Sequence, residues 1–533
     1  MKTMRIMRIT TTRLYTIMVG LSFVLVLLLP AGHSSAASAT VTPSIVWQAD
    51  CSQLDPNALA TQQCGTLQVP LNYNDPGGRK ITVAVSRIAA ADPSQRRGVL
   101  FMNPGGPGGP GIDLPSQFSQ IMPQNVLNQY DLIGFDPRGV GQSTPVSCGL
   151  TSDQMSQALV PLTQNNNFND TAAFMKMVAD KCATTSGDLL PYITTNNTAR
   201  DMDQIRQAFG EQKISYFAYS YGTYLGSVYT SMFPQHSDRF VLDSTVDANW
   251  VWREQFRSWK LADYSRFPDF AKYLAANDAT YHLGSSESQI NTKYFELINK
   301  LRTSPVVVFG ITLNDTMFRE LTFSVLYNDA DFAIGGQIWQ AADGQTTSST
   351  LKSAVTTLQP IAETTAPVDN AGASALAVLC DDTAWSRSPL QYQAELNLDK
   401  LVSPKFGELG SNIWPCAYWH YQPQEHTTAI NPNGPTNVLM IQNKRDPATP
   451  YAGALETRTL LANRARMVSV DQGGHGAAYL AANQCATDAV NTYLASGVLP
   501  AHDTSCAAQS QNELTPQNSN QQQAIERLRQ LVR

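Results

Sequence analysis

The stretch Ile214-Ser-Tyr-Phe-Ala-Tyr-Ser-Tyr-Gly222 decides the fold class of this chain. Its first half is a short apolar run typical of a buried strand, and an apolar helical face follows it as far as Met232. Small residues, Ala218 and Gly222, flank Ser220. The order of strand, tight turn, serine and helix is typical of a nucleophile elbow, in which the turn raises the hydroxyl above the sheet and aims a helix N-terminus at developing negative charge. Alone, the A-x-S-x-G pattern is equally consistent with a structural serine that caps a helix.

Further strand signals lie on both sides of this stretch. Short apolar runs that end in polar or Gly-rich loops recur at 98–102, 131–135, 239–242, 438–442 and 467–470. A helical pattern covers 198–209, and strands that alternate with helices predict an α/β fold with a mostly parallel sheet and helices on both faces. Period-two alternation in 66–71 and 81–88, with turn residues between them, adds a β-hairpin at the start of the sheet.

A glycine-proline loop directly follows the strand 98–102 and reads Asn103-Pro-Gly-Gly-Pro-Gly-Gly-Pro-Gly111. Backbone amides that must point at an oxyanion need residues without side chains in the way, so this loop suits an oxyanion hole. We expect the amides of Gly106 and Tyr221 to be its two donors. A phosphate loop would end in Gly-Lys-Ser/Thr, and a collagen-like tract would be much longer, whereas a purely structural turn stays open as an alternative.

Two later loops supply a candidate acid and a candidate base. Asp446 follows the strand 438–442 in a loop bounded by prolines, where its carboxylate can accept a hydrogen bond from an imidazole. Seen alone, such an aspartate is also typical of a turn. His475 lies among glycines after the strand 467–470, on a loop uncrowded enough for its ring to reach both partners. The order Ser220, Asp446, His475 is that of α/β-hydrolases and predicts a Ser-His-Asp triad on that fold.

About two hundred residues separate the strand 239–242 from the strand 438–442, far more than a structureless loop would contain. Residues 248–435 are rich in aromatic and helix-forming residues and are therefore predicted to be a mainly helical cap inserted into the sheet domain. The sheet domain then consists of 40–247 and 436–506. A Gln/Asn-rich tail follows at 507–533, with a short helix expected from Ala524.

The N-terminus has the pattern of a secretory signal peptide over 1–39. Basic residues precede an apolar stretch, 17–29, and small residues follow it, so cleavage is expected near Ala37 or Ala39. The apolar stretch is shorter than the roughly 20 residues that span a bilayer, so no stable membrane anchor is expected after cleavage. These features predict a secreted protein, extracellular or associated with the cell envelope.

All eight cysteines follow the signal segment, and their even number in an exported chain predicts disulfides. Sequence alone leaves connectivity open, but pairing neighbours closes the shortest loops. That rule favours Cys51 with Cys64, Cys148 with Cys182, Cys380 with Cys416, and Cys485 with Cys506. No C-x-x-C pair exists to support a zinc site.

Charge and composition exclude several function classes. The formal net charge of -6 is dispersed along the chain, which argues against a nucleic-acid or anionic-membrane surface. His420, Glu425 and His426 have a spacing two residues too long for an H-x-x-E-H element, and Pro423 would break its helix. Neither a metal nor an organic cofactor is expected.

Six segments together resemble the secreted tripeptidyl aminopeptidases and related exopeptidases of the proline iminopeptidase family. They occur in the family's order and are Cys64-Gly-Thr-Leu-Gln-Val-Pro-Leu-Asn-Tyr73, Asn103-Pro-Gly-Gly-Pro-Gly108, Tyr130-Asp-Leu-Ile-Gly-Phe-Asp-Pro-Arg-Gly139, Tyr219-Ser-Tyr-Gly-Thr223, Asp446-Pro-Ala-Thr-Pro450 and Gly473-Gly-His-Gly476. The resemblance covers most of the mature chain, and the region from about Cys416 onward resembles the TAP-like C-terminal region of this group. Ala218 departs from the usual G-x-S-x-G pattern.

The resemblance implies a peptide substrate that is cleaved near its free N-terminus, with the cap closing over it and a carboxylate capturing its α-amino group. Glu254, Asp381 and Asp382 are the candidates for that carboxylate, although each is also typical of an exposed helix position. Two alternatives stay open: a carboxylesterase or amidase with the same triad, and a secreted binding protein that keeps the fold without chemistry. The number of residues released, the residue preference and the oligomeric state are not implied.

Overall fold

A computed structural model of the protein describes residues 43–55, 58–160, 162, 167–308, 311–345, 366–481, 483–509 and 518–532. The predicted signal segment 1–39 lies outside the described residues. Within the described ranges, no helix combines the length and the apolar character that crossing a membrane requires.

The described residues form a twisted central sheet of ten strands and a separate hairpin. In chain order the strands are β1 Val46–Trp47, β2 Gln62–Pro70, β3 Lys80–Ile88, β4 Gly98–Asn103, β5 Tyr130–Phe135, β6 Ile214–Tyr219, β7 Ser237–Asp243, β8 Val306–Val308, β9 Ile311–Leu313, β10 Val438–Arg445, β11 Ala465–Gly473 and β12 Thr504–Cys506. The order across the sheet is β1-β2-β3-β5-β4-β6-β7-β10-β11-β12. Neighbours from β5 to β12 are parallel, and β1 to β3 join them antiparallel. The predicted mostly parallel sheet and its opening hairpin are confirmed.

The described helices lie between these strands, in the long interval between β7 and β10, and, in one case, after β12. Their bounds are α1 Leu114–Ile121, α2 Gln124–Leu127, α3 Ser152–Leu159, α4 Phe168–Ser186, α5 Thr195–Ala208, α6 Tyr221–Met232, α7 Arg253–Arg257, α8 Ala262–Ser265, α9 Phe267–Ala276, α10 Asp278–Tyr281, α11 Glu287–Thr303, α12 Asp315–Ser324, α13 Phe332–Asp343, α14 Asn370–Asp382, α15 Pro389–Val402, α16 Gly407–Ser411, α17 Tyr451–Leu461, α18 Gln484–Ser496 and α19 Ser519–Val532. The predicted helix at 198–209 is α5, which begins slightly earlier because Thr194 caps it.

The sheet is buried on both faces, because alternate residues of its central strands enter different hydrophobic cores. Phe101 and Tyr216 lie in one core with residues of α4, α5 and α6, whereas Met102 and Phe217 lie in the other with residues of α1, α18 and α19. Successive side chains of a strand point to opposite faces, so helices cover both faces of the sheet. Strands buried on both sides read as continuous apolar runs, which is why 214–218 shows no alternation. This is the predicted α/β-hydrolase arrangement.

The interval between β7 and β10 contains two kinds of structure. Most of its helices build a hydrophobic core of their own, with Phe267, Trp339 and Phe406 among its buried members. In contrast, α14 and the segment around Trp414 contribute to the core on the α5 and α6 side of the sheet. The interval therefore has a helical body and segments that pack on the sheet domain, and α14 is one of the latter.

The predicted cysteine pairing is confirmed. The disulfides are Cys51–Cys64, Cys148–Cys182, Cys380–Cys416 and Cys485–Cys506. Each links residues 13 to 36 positions apart, and closing a loop of that length in the unfolded chain stabilises the fold by about 2–4 kcal/mol. The third of these disulfides fixes the end of α14 to the segment that precedes β10.

Candidate active site

Ser220 occupies the turn between β6 and α6 in a conformation that serine rarely adopts. Its φ is 54° and its ψ is -128°. Non-glycine residues with positive φ are uncommon and are retained where the surrounding structure holds them. The amide of Ser220 donates to the carbonyl of Asp243 on the neighbouring strand at 3.1 Å. Ser220 therefore stands at the C-terminal end of a central strand and immediately before a helix N-terminus, as an elbow requires.

The departure at Ala218 is accommodated by Gly222 on the far side of the elbow. A Cβ at Gly222 would lie 2.7 Å from the Ala218 Cβ and 2.6 Å from Oδ1 of Asn103. Strand and helix are therefore too close to allow side chains at both positions. Because Gly222 has none, the methyl group of Ala218 fits, fully buried, without displacing the turn.

The glycine-proline loop lies directly against Ser220. A Cβ at Gly105 would be 2.8 Å from the Ser220 Cβ, so only glycine allows this approach. The amide of Gly105 already donates to Oδ1 of Asn103 at 3.0 Å, and Gly106 supplies the next amide of the loop. Tyr221 is the first residue of α6, so its amide has no acceptor within the helix. The assignment of Gly106 and Tyr221 as oxyanion donors stays a prediction, with these positions in its favour.

Asp446 and His475 form a buried pair. Nδ1 of His475 lies 2.9 Å from Oδ2 and 3.0 Å from Oδ1 of Asp446, and the two side chains are about 1% exposed or less. A carboxylate at Nδ1 holds the proton there and leaves Nε2 as the basic atom. Among the described residues, Nε2 of His475 has no hydrogen-bond partner, Ser220 included. Nε2 is therefore not engaged by another donor or acceptor among these residues. Catalytic hydrogen bonds of unbound sites commonly tighten only when substrate is present, so the missing bond to Ser220 is compatible with a role of Nε2 as the base.

Two contacts that orient this pair were not predicted from the sequence. Thr449 donates its hydroxyl to Oδ2 of Asp446 at 2.9 Å and lies 3.3 Å from Nδ1 of His475. Tyr327 accepts the His475 amide on its carbonyl at 2.8 Å, and its ring meets the imidazole edge to face at 5.2 Å. The position of Thr449 three residues after Asp446, in the same turn, is a local signal that could have identified it. Tyr327 precedes α13, and nothing in its neighbouring sequence indicates the contact.

Asp382 is connected to the elbow through hydrogen bonds. Its carboxylate accepts the amide and hydroxyl of Thr195 at 2.8 and 2.6 Å and the indole N–H of Trp252 at 3.0 Å. The hydroxyls of Thr195 and Tyr221 are 2.9 Å apart. Burial raises the pKa of Asp382 to about 6, while the donors from Thr195 and Trp252 act in the opposite direction. Asp382 is therefore largely ionised at neutral pH.

The other two predicted carboxylates have different surroundings. Asp381 is buried, accepts the indole N–H of Trp419 at 3.0 Å, and has its pKa raised well above the ordinary value by burial. Burial therefore disfavours its charged form. The Glu254 side chain is 56% exposed and pairs with Arg257 at 3.2 Å. Of the three, Asp382 alone has a described hydrogen-bonded link to the elbow, through Thr195 and Tyr221.

Comparisons with known proteins identify the family to which this chain belongs. Residues 403–506 match the family described as TAP-like protein. The chain is 34% identical over 488 residues to the tripeptidyl aminopeptidase of Streptomyces lividans, with 89% of each chain covered. It is 28% identical to the serine protease Hip1 of Mycobacterium tuberculosis, over 83% of this chain and 87% of that one, and 28% identical to carboxylesterase B of the same species, over 90% and 93%. The chain therefore belongs to the tripeptidyl aminopeptidase family, a group of α/β-hydrolase serine peptidases.

Proposed function

We propose that this protein is a secreted serine exopeptidase that hydrolyses peptide bonds near the free N-terminus, with Ser220, Asp446 and His475 as its triad. The observation that carries the proposal is the buried pair in which both oxygens of Asp446 lie within 3.0 Å of Nδ1 of His475. The strained position of Ser220 after β6 and the similarity to a tripeptidyl aminopeptidase support it further. Secretion is supported by the signal pattern at 1–39 and by the disulfides, which are typical of exported proteins.

The proposed reaction is acyl transfer to water. Nε2 of His475 takes the hydroxyl proton of Ser220 as Oγ attacks the carbonyl carbon, and Asp446 stays ionised beside the imidazolium. The amides of Gly106 and Tyr221 stabilise the oxyanion. As the tetrahedral species collapses, His475 passes the proton to the leaving amine, and the C–N bond breaks. Water, activated by the same histidine, then releases the N-terminal fragment from the acyl-enzyme.

Substrate selection is assigned to the carboxylate of Asp382 and to the interval 248–435 as a cap that closes over the peptide. A carboxylate has about four lone-pair sites, and three donors already occupy those of Asp382, so one remains for the α-amino group. An ionised group in this buried position attracts an ammonium strongly, because little water screens the two charges. Asp381 is less suited to this role, because burial raises its pKa and disfavours its anion, and its described hydrogen-bond donor is Trp419.

A comparison of free and N-acetylated tripeptidyl p-nitroanilides, together with p-nitrophenyl esters, tests the substrate class. We expect hydrolysis of the free tripeptide and a loss of about 30-fold or more in kcat/KM on acetylation, because acetylation removes the charge that the carboxylate binds. Equal turnover of both peptides with faster ester hydrolysis would instead establish the carboxylesterase alternative, which the similarity to carboxylesterase B favours. Lack of reaction with a fluorophosphonate would identify a catalytically inactive binding protein.

The substitution Asp382→Asn tests which carboxylate binds the substrate N-terminus. We expect it to remove most of the preference for the free over the acetylated tripeptide, and Glu254→Gln to leave that preference unchanged. In the unmodified protein, the preference should fall as the pH drops through about 6, since protonation neutralises Asp382. Both substrates share the same catalytic groups, so their ratio cancels any pH dependence that is common to the two reactions. The assignment would be contradicted if Glu254→Gln removed the preference for the free tripeptide and Asp382→Asn kept it.

A further inference from the structure

Asp243 is a buried carboxylate that the proposed mechanism does not use. It is the last residue of β7, which lies between β6 and β10 in the sheet. Its Oδ1 accepts the amide of Ala477 at 2.8 Å, and its Oδ2 accepts the amide of Ala478 at 2.8 Å. Both amides belong to the turn that follows His475. The carboxylate therefore binds the backbone of the loop that carries the candidate base.

The main chain of the same residue binds the candidate nucleophile. The carbonyl of Asp243 accepts the amide of Ser220 at 3.1 Å. The elbow and the histidine loop are also joined directly, because the hydroxyl of Tyr219 donates to the carbonyl of Ala478 at 3.1 Å. Asp243 thus contacts the backbone at Ser220 on one side and the backbone after His475 on the other.

The neighbouring residue continues this contact toward His475. The hydroxyl of Ser244 accepts the amide of Gly476 at 2.7 Å, so three successive amides after His475 are bound by Asp243 at the end of β7 and by Ser244 directly after it. His475 itself is bound on its other side, where its amide donates to Tyr327. A loop rich in glycine is conformationally free, and these hydrogen bonds restrict its conformation.

Keeping an anion at Asp243 costs folding free energy. Burial raises its pKa to about 7, whereas the amides of Ala477 and Ala478 lower it. The charged groups that face it are His475, which favours the anion, and Asp446, which opposes it, and the tyrosines Tyr219 and Tyr479 lie beside it. Since the pKa in the folded protein is above that in the unfolded chain, this group destabilises the fold increasingly as the pH rises from about 4 to about 7. The anion of Asp243 destabilises the fold, but its two oxygens are both needed as acceptors for the amides of Ala477 and Ala478.

We propose that Asp243 is a positioning residue that sets the distance between Ser220 and His475. It touches neither the substrate nor the reacting atoms. Its carboxylate holds the loop after the base while its carbonyl holds the nucleophile, so one rigid strand end fixes both. Proton transfer between Oγ and Nε2 depends on their separation, and a misplacement of about 1 Å costs about 10²-fold in rate. The inference rests on the proposed function of Ser220 and His475.

The test is the variant Asp243→Asn, with Asp247→Asn as its matched control. An asparagine presents one acceptor and one N–H₂ group, so one loop amide faces a donor and the loop must shift. Asp247 is equally buried, has a pKa raised to about 6 by burial, and accepts the amide of Asn249 at 2.8 Å, with no described contact to the histidine loop. The measurements are kcat and KM for a tripeptidyl p-nitroanilide, the rate of fluorophosphonate labelling, and Tm.

We expect Asp243→Asn to lower kcat and the labelling rate together by about 10²-fold, with KM within a factor of about two. Asp247→Asn should leave all three close to those of the unmodified protein. Asp243→Ala, which places no donor against the loop, replaces the asparagine variant if that variant does not fold. A folded Asp243 variant with unchanged kcat and labelling rate would overturn the inference, as would a loss confined to Tm. Failure of the proposed roles of Ser220 and His475 is distinguishable, because the unmodified protein would then not be labelled at all. If the protein is instead an esterase, it is still labelled, and kcat is measured on a p-nitrophenyl ester.

Discussion

The substitution Ser220→Ala is expected to lower kcat for tripeptidyl p-nitroanilides by about 10⁴- to 10⁶-fold, because triad members act as a unit and the attacking oxygen is lost. Labelling by a fluorophosphonate should disappear in the same variant. Alanine lacks only the hydroxyl, so the fold should persist, and Tm should change little. Steady-state kinetics, active-site labelling and thermal unfolding together measure these three expectations.

Ser227→Ala is the matched control for this experiment. Ser227 lies on α6, the same helix that follows Ser220, is fully buried, and donates to the Thr223 carbonyl at 2.8 Å. It should retain kcat within a few-fold while losing the stability of about one hydrogen bond, roughly 1 kcal/mol. Undiminished turnover by Ser220→Ala would refute the assignment of the nucleophile.

The second large effect is expected for Asp446→Asn, with a loss of about 10⁴-fold in kcat. The carboxylate of Asp446 accepts the amides of Ala448 and Thr449 on Oδ1 at 2.9 and 2.8 Å and the Thr449 hydroxyl on Oδ2, in addition to Nδ1–H of His475. An amide group at this position cannot accept from all of these donors. Its N–H₂ would face Nδ1 and favour the tautomer whose proton is on Nε2, where the base must be free.

Asp471→Asn provides the comparison, since its side chain is 58% exposed and pairs with Arg445 at 3.3 Å. A surface pair of this kind contributes at most about 1 kcal/mol, so kcat should be unaffected. If Asp446→Asn kept more than about a tenth of kcat, a different carboxylate would have to orient the imidazole. Kinetics of the two variants at one pH, with labelling rates as a second measure, decide between these outcomes.

Much of the fold follows from local sequence alone. The apolar runs at 98–102, 131–135 and 214–218 are long enough and apolar enough to be strands buried on both faces, and the structure has them there. Cysteine pairing was predictable because each partner is near in sequence. Short strands could not be predicted from the sequence. The strand β12 and the two strands of the hairpin, β8 and β9, have three residues each, too few for a period to be recognised.

Local sequence likewise indicates some residues of the candidate site and not others. Ser220, Asp446 and His475 could be selected because each lies in a turn with its own chemistry, directly after a strand. Asp243 also ends a strand, yet no glycine, proline or motif distinguishes it from any other strand end. Its role depends on β7 lying next to β6 in the sheet, which brings its carboxylate to the turn after His475, more than two hundred residues away.

By itself, the sequence determined the longer elements of this protein, the tight turn at Ser220 and the loops that carry its candidate acid and base, because periodicity and turn chemistry act over a few residues. Only the tertiary structure decided which groups surround those loops. Ala218 fits because Gly222 faces it, and Asp382 differs from Asp381 because Thr195 and Trp252 donate to one and Trp419 to the other. Burial and hydrogen bonding shift the pKa of each carboxylate, and both arise from packing between distant segments.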